Sequence, residues 1–281
     1  MKKIGFIDYF LDEWHAEKYP NWIKEATGGG MQVAYAYGKI DSPSGKTNAE
    51  WCAAHGVELL DSIEAVVERS DYLVVLSPDH PEYHEELCQL PLRSGKPTYV
   101  DKTFAPDRET AIRLFELAAR HGTPICSTSA LRYAAEYAEA AALEVATLHS
   151  VGPGRFENYA IHQIEPLIAL MGGSPDRVMS IGTSEAPALL IGFADGRQAA
   201  IHHFGWECPF AMTLNDREGH AHTLKVDSDF FAVFIRQMAA FFETAEPLVA
   251  PAETIAIVSV IEYGLRAMQT PHEWVAIPTT A

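Results

Sequence analysis

The 281-residue sequence is short of positive charge: 21 Lys and Arg stand against 38 Asp and Glu, a formal net charge of −17. Nucleic acid needs a basic surface, so that balance excludes it as an expected partner. The same excess of acid weakens attraction to an anionic membrane surface. Long apolar runs are also missing. No stretch approaches the ~18 consecutive apolar residues of a spanning helix. Asp8, Asp12 and Glu13 interrupt the apolar pattern that follows Met1-Lys2-Lys3, so neither a signal peptide nor an anchor is expected there. There is no C-x-x-C: Cys52, Cys88, Cys126 and Cys208 lie far apart. That spacing removes zinc-ribbon and redox-motif readings and suits a reducing, cytoplasmic setting. Internal repeats and low-complexity tracts are absent as well.

What is there is ordinary globular composition, 48% hydrophobic and 21% charged. The length favours two domains. Strand and helix alternate in the first half. Strands are expected at Ile4–Ile7, Met31–Tyr37, Tyr72–Leu76 and Thr98–Val100, and helices over 12–26, 48–55, 62–68, 81–90 and 107–121. Such alternation implies a doubly wound parallel sheet over residues 1–123. From 124 to 281 the pattern changes to an α+β domain with a mostly antiparallel open sheet. Its strands are expected at 178–182, 188–194, 198–204, 211–216 and 220–226, before two closing helices striped by Phe231, Phe234, Met238 and Phe241 and by Ile255, Val258, Ile261, Leu265 and Met268. The fold class is therefore α/β in the first part.

The most informative stretch is Gly95-Lys96-Pro97-Thr98-Tyr99-Val100-Asp101-Lys102-Thr103-Phe104. A short apolar strand ends in an acid and a lysine, and in an open α/β sheet ligands sit beyond the carboxyl ends of strands. Val74 to Pro78 with His84, the Asp101-Lys102-Thr103 segment, Ser129 to Tyr133, and Ile161-His162-Gln163-Ile164-Glu165 running to Gly172 occur in an order that resembles the Gfo/Idh/MocA oxidoreductases. Glu273-Trp274-Val275 fits the same pattern. The resemblance implies a Rossmann-type first domain, a second domain for substrate and oligomerisation through its sheet, and NAD(P)-dependent hydride transfer on a sugar, polyol or related hydroxylated small molecule. It implies cofactor contacts at Asp8, Tyr37, Lys39, Ser77, Pro78, His84 and Asp101, and substrate contacts at Arg132 and Glu165.

Two departures stand out. A dinucleotide turn needs glycines so that backbone amides can approach the pyrophosphate at a helix N-terminus. Here the segment reads Gly5-Phe6-Ile7-Asp8-Tyr9-Phe10-Leu11-Asp12-Glu13-Trp14, with acids where an anion belongs. The second strand ends in Tyr37-Gly38-Lys39 rather than in a ribose-binding acid. Lys39, Ser42, Ser44 and Lys46 then favour a 2′-phosphate, hence NADP over NAD, against the plainer reading of a solvated loop.

For chemistry, Lys102 is the expected group to polarise a hydroxyl or carbonyl, against a surface lysine paired to Asp101. His162 is the expected acid/base, placed at a helix N-terminus because Pro166 tolerates only a first turn. Asn158, four residues earlier, can orient but cannot take a proton. Arg132 serves either a substrate or a structural salt bridge. His202, His203, Cys208, His220 and His222 cluster late in the chain, His220 and His222 on one strand face, without the spacing of a metal site. Two alternatives accompany the oxidoreductase: a cofactor-free binding or regulatory protein on the same fold, and a non-redox lyase or epimerase using Lys102 and His162.

Overall fold

The computed structural model describes residues 1–278. The chain forms two compact units, one of Met1–Thr128 with Ala232–Pro251, the other of Ser129–Phe231 with the chain from Ala252 onward.

The first unit runs β1 (Lys2–Asp8), α1 (Trp14–Ala26), β2 (Met31–Gly38), α2 (Asn48–His55), β3 (Glu58–Leu59), α3 (Ile63–Arg69), β4 (Tyr72–Val75), α4 (His84–Leu87), β5 (Thr98–Val100), α5 (Arg108–His121) and β6 (Ile125–Cys126). The strands form one parallel sheet in the order β3-β2-β1-β4-β5-β6. β4 is buried at every position, as a strand covered on both faces must be. Side-chain caps start the helices: Glu13 on α1, Thr47 with Glu50 on α2, Ser62 on α3 and Asp107 on α5. Gly56 and Gly122 end α2 and α5 in the left-handed region, where a Cβ is unfavourable. The expected helix over 81–90 is broken. Pro81–Tyr83 and Pro91–Arg93 are 3₁₀ turns on either side of the single turn α4; Pro91 withholds the amide that the Leu87 carbonyl would take, so the α-helix does not continue past Leu87. Residues 232–244 pack on this unit, with Phe234 5.9 Å from Tyr19 and 5.6 Å from Tyr99 between ring centroids, and Phe242 stacked on Tyr72.

The second unit runs α6 (Ala135–Ala140), β7 (Val145–Pro153), α7 (Phe156–Met171), β8 (Pro175–Ser180), β9 (Ala188–Phe193), β10 (Gln198–Phe204), β11 (Ala211–Asp216) and β12 (Ala221–Lys225). After α8 (Phe230–Thr244), whose first residues belong here, come α9 (Pro251–Ala267) and β13 (Val275–Ala276). Its sheet has the order β12-β11-β7-β10-β9-β8-β13. Only β7 with β10 is parallel; the other pairs are antiparallel. One face buries Leu148, Ile191 and Ile201 with Ile164 and Leu167 of α7 and Ile257 of α9.

α7 corrects an expectation. It begins at Phe156, not near Gln163, and contains Pro166 in its interior. Pro166 has no amide for the His162 carbonyl, a cost of about 3 kcal/mol in a helix interior. Phe156, Ala160, Ile161, Ile164, Leu167 and Ile168 are all buried on either side of it. At roughly 1.5–3 kcal/mol per large apolar side chain, that burial outweighs the break. His162 is consequently mid-helix, and the terminal dipole does not act on it.

Candidate functional site

The carboxyl edge of the parallel sheet gathers Asp8, Ser77, Asp101 and Lys102. The Asp8 carboxylate accepts from the Tyr9 amide at 2.7 Å and from the Ser77 hydroxyl at 3.0 Å. Ser77 itself has a φ of 79°, a strained value for a residue with a side chain. Asp8 is 1% exposed. Burial, then the nearby Glu13 carboxylate, hold its pKa well above the usual range, against the bonds from Ser77 and Tyr9. Tyr9 stacks on Tyr83 at 3.8 Å, and His80 packs against both rings.

Lys102 is buried, with its Nζ 3.5 Å from the Pro78 carbonyl and 3.8 Å from Asp79. It is not a surface lysine paired to Asp101. Asp101 turns inward instead. Its Oδ1 accepts from the Tyr99 hydroxyl at 3.1 Å, and its Oδ2 lies 3.3 Å from Nδ1 of His15. His15 Nδ1 is also 3.4 Å from Glu13. Burial lowers the His15 pKa, but Asp101 and Glu13 outweigh it and leave a net rise, with Lys102 opposing them. Glu13 was read from the sequence only as one of the acids of the turn, and His15 was not singled out. The available signal was their place at the start of the first helix, beside the strand ends.

Of the other expected cofactor contacts, His84 and Lys39 are occupied internally. Fully buried His84 directs Nδ1 at the Phe104 carbonyl (3.0 Å) and Nε2 at the Leu76 carbonyl (2.6 Å), which leaves no ring nitrogen for a ligand. Burial lowers its pKa. Lys39 forms an ion pair with Glu86 and lies over the Tyr83 ring. Lys46 pairs with Asp12 and Glu17. Tyr37 lies one residue before the end of β2. A Cβ on Gly38, which ends β2, would stand 2.3 Å from the Asn48 side chain. Asn48 in turn accepts from Leu11 N and donates to the Gly38 and Ile40 carbonyls, fixing the loops after β1 and β2.

The dinucleotide implied by the resemblance would lay its pyrophosphate on the first amides of α1. Those amides are taken. The Glu13 carboxylate accepts from His15 N and Ala16 N. A second anion at the same place meets Glu13 and the buried Asp8 rather than free donors. These residues do not fit a conventionally placed pyrophosphate.

In the second unit, His162 Nδ1 lies 2.7 Å from the Ser129 hydroxyl, and the Tyr159 and Phe210 rings meet the imidazole edge-on. Glu165 is 1% exposed and accepts from Ser129 N at 2.7 Å. Arg132 is 3.7 Å from Glu165 and ion-paired with Glu253. Ser129 thus links His162 and Glu165, and Arg132 completes a salt-bridged group. Asn158 is exposed one turn before His162, in the first turn of α7. β7 leads into α7 through Gly154 and Arg155 alone.

The late histidines do not form one cluster. His202 meets His149 at 2.9 Å, while His203 is buried against Gln163. His220 lies in the turn before β12, so it does not share a strand face with His222. Both converge instead on Asp216, at 3.2 and 3.0 Å. Among the described residues, no three His, Cys, Asp or Glu side chains are grouped to hold a metal ion.

No protein-family model matches the chain, and no curated protein matches it. Solved structures do. GenD2 from gentamicin A biosynthesis, in complex with NAD, aligns over 99% of this chain and 97% of its own, at 14% identity and a TM-score of 0.79. Scyllo-inositol dehydrogenase from Lactobacillus casei, with bound NAD(H) and scyllo-inositol, aligns over 98% and 99%, at 14% identity and 0.79. A probable dehydrogenase from Thermotoga maritima aligns over 98% of both chains, at 10% identity and 0.79. The fold is that of the Gfo/Idh/MocA-type inositol and sugar dehydrogenases. No described helix is long and apolar enough to cross a membrane.

Proposed function

We infer that this chain is a non-redox enzyme of hydroxylated small molecules, a lyase, epimerase or isomerase, on a dehydrogenase fold. The observation that carries this reading is Glu13, whose carboxylate sits on the first amides of α1 where a dinucleotide would need them. In this reading the buried Lys102 ammonium stabilises negative charge developing on a substrate oxygen. His162 moves a proton, oriented through Nδ1 by the Ser129 hydroxyl. Arg132 and Glu165, though paired to each other, are the substrate-contact candidates of the second unit. Asn158 would play only an orienting part.

A second reading is favoured by the full-length likeness to structures holding NAD: nicotinamide-dependent hydride transfer on a sugar or polyol. Within it Lys39 would favour NADP, and its ion pair with Glu86 stands against that. We also propose that the protein works in the cytoplasm and pairs with a second copy through the open face of its antiparallel sheet.

Titration with NADH and NADPH, followed by nicotinamide fluorescence, separates the two readings. The expected result is no saturable binding up to about 1 mM, the level of a ~4 kcal/mol interaction. Saturation in the micromolar range would overturn the non-redox reading and restore the dehydrogenase.

A further inference from the structure

An epimerase or isomerase needs groups that take a proton from carbon and return it. The first unit contains an arrangement suited to that work which neither the sequence motifs nor the fold comparison assigns. His15 follows the cap of α1 and turns Nδ1 inward. That nitrogen is 3.3 Å from Asp101 Oδ2 and 3.4 Å from Glu13 Oε2. Asp101 is 1% exposed, and its other oxygen lies 3.1 Å from the Tyr99 hydroxyl, whose single proton is shared with the Thr128 carbonyl at 2.9 Å. Both carboxylates stand at ion-pair distance from Nδ1 without hydrogen-bond geometry, so they act on the ring by charge, and Nε2 is left for chemistry. The His15 side chain is 12% exposed. The charged and titratable groups facing it are Glu13 on its own segment, Tyr19 on α1, Asp101 after β5 and Lys102 beside that. Lys102 follows Asp101 directly in the chain and both are buried, which places base and cation in one locality of one unit.

We propose that His15 is a catalytic acid/base, positioned by Asp101 and Glu13 and working beside Lys102 on a hydroxylated carbonyl compound; this rests on the non-redox reading above. In the step, a C–H bond next to the carbonyl breaks and its proton passes to Nε2 of neutral His15. The electron pair forms the enolate double bond, and the carbonyl oxygen takes the negative charge beside the Lys102 ammonium. Return of the proton from the imidazolium to carbon regenerates the base, with no net change of oxidation state. Asp101 is a positioning residue.

The test uses the full-length protein in D₂O with keto probes (dihydroxyacetone, fructose and a ketopolyol such as an inosose), following deuterium uptake at the carbon next to the carbonyl by proton NMR. Uptake is expected in the wild type. It should fall about 10²–10⁴-fold in His15→Ala and remain in His121→Ala, an exposed control. Asp101→Asn is expected to move the pH midpoint of exchange to lower pH, following the His15 imidazole resonance, which a purely structural defect would not do. Circular dichroism checks that each variant is folded, and His15→Gln replaces a variant that is not. Exchange that survives in folded His15 variants overturns this proposal and leaves the non-redox reading standing. A wild type that exchanges none of the probes overturns both.

Discussion

At the scale of single residues, the first loop shows why chemistry was harder to read than fold. Lys102 was legible because an Asp-Lys pair at the end of an apolar strand has a predictable place in a parallel sheet. His15 was not, because its meaning depends on Asp101, 86 positions away by sequence number (101 − 15). Asn48 is a similar case: in sequence it looks like an ordinary residue at a helix start. In the structure its amide bonds Leu11 N at 3.0 Å, Gly38 O at 3.1 Å and Ile40 O at 2.7 Å. Asn48→Ala leaves those backbone groups without their partner and opens space against Gly38. At about 1 kcal/mol per lost bond, and more where the orphaned group stays buried, the expected loss is about 2–4 kcal/mol. Urea unfolding measures it. A change within 0.5 kcal/mol would show that the loop after β1 does not depend on this side chain.

At the scale of elements, periodicity and capping located most helices and strands to within two residues, because each carries its own local signal. α2 and β5 were placed residue for residue, since Thr47 and Pro97 mark their starts plainly. Two of the misreadings involve proline. Pro166 was taken as a first-turn residue, and the apolar faces around it overrode that local rule. The connection from β12 to α8 illustrates a contact invisible to local reading. Glu136, in the first turn of α6, accepts from the amides of Asp227 and Ser228 and from the Ser228 hydroxyl. Burial alone would raise its pKa, but these bonds lower it from 4.5 to about 2. A carboxylate with a depressed folded pKa stabilises above its unfolded value and loses that contribution as pH falls through the folded one. Wild-type stability should therefore decline between pH 4.5 and about 2. Screening at this partly exposed site limits the term to on the order of 1 kcal/mol. Glu136→Gln should be less stable at pH 7 and show a correspondingly flatter acid limb. Parallel acid limbs in thermal melts from pH 5 to 2.5 would overturn the assignment.

At the scale of the whole molecule, two sheets of different character were legible, because βα alternation and closely spaced strands are long-range patterns. Which sheet the stripe of Phe234, Met238 and Phe241 covers was not, since an apolar stripe specifies burial but not a partner. The open face of the second sheet raises the same question. Alternation along β10 places His202 and Phe204 opposite the buried Ile201 and His203, and Phe204 is 47% exposed. His149 on β7 joins them, 2.9 Å from His202. An apolar and aromatic face of this kind is better covered than left in water, and a second copy would cover it by two-fold symmetry. The histidine pair makes that proposal testable by pH. Burial first, and then His149, lower the His202 pKa. A histidine with a depressed folded pKa imposes no penalty above its unfolded value of about 6.5, and a growing one as pH falls below it. Pairing would remove further water and deepen that effect. Sedimentation velocity should therefore show a dimer or larger assembly at pH 8 that weakens at pH 5.5, with the pH dependence reduced in His202→Gln. A monomer at both pH values would remove the open face as an assembly surface, while an assembly indifferent to pH would place the contact away from His149 and His202.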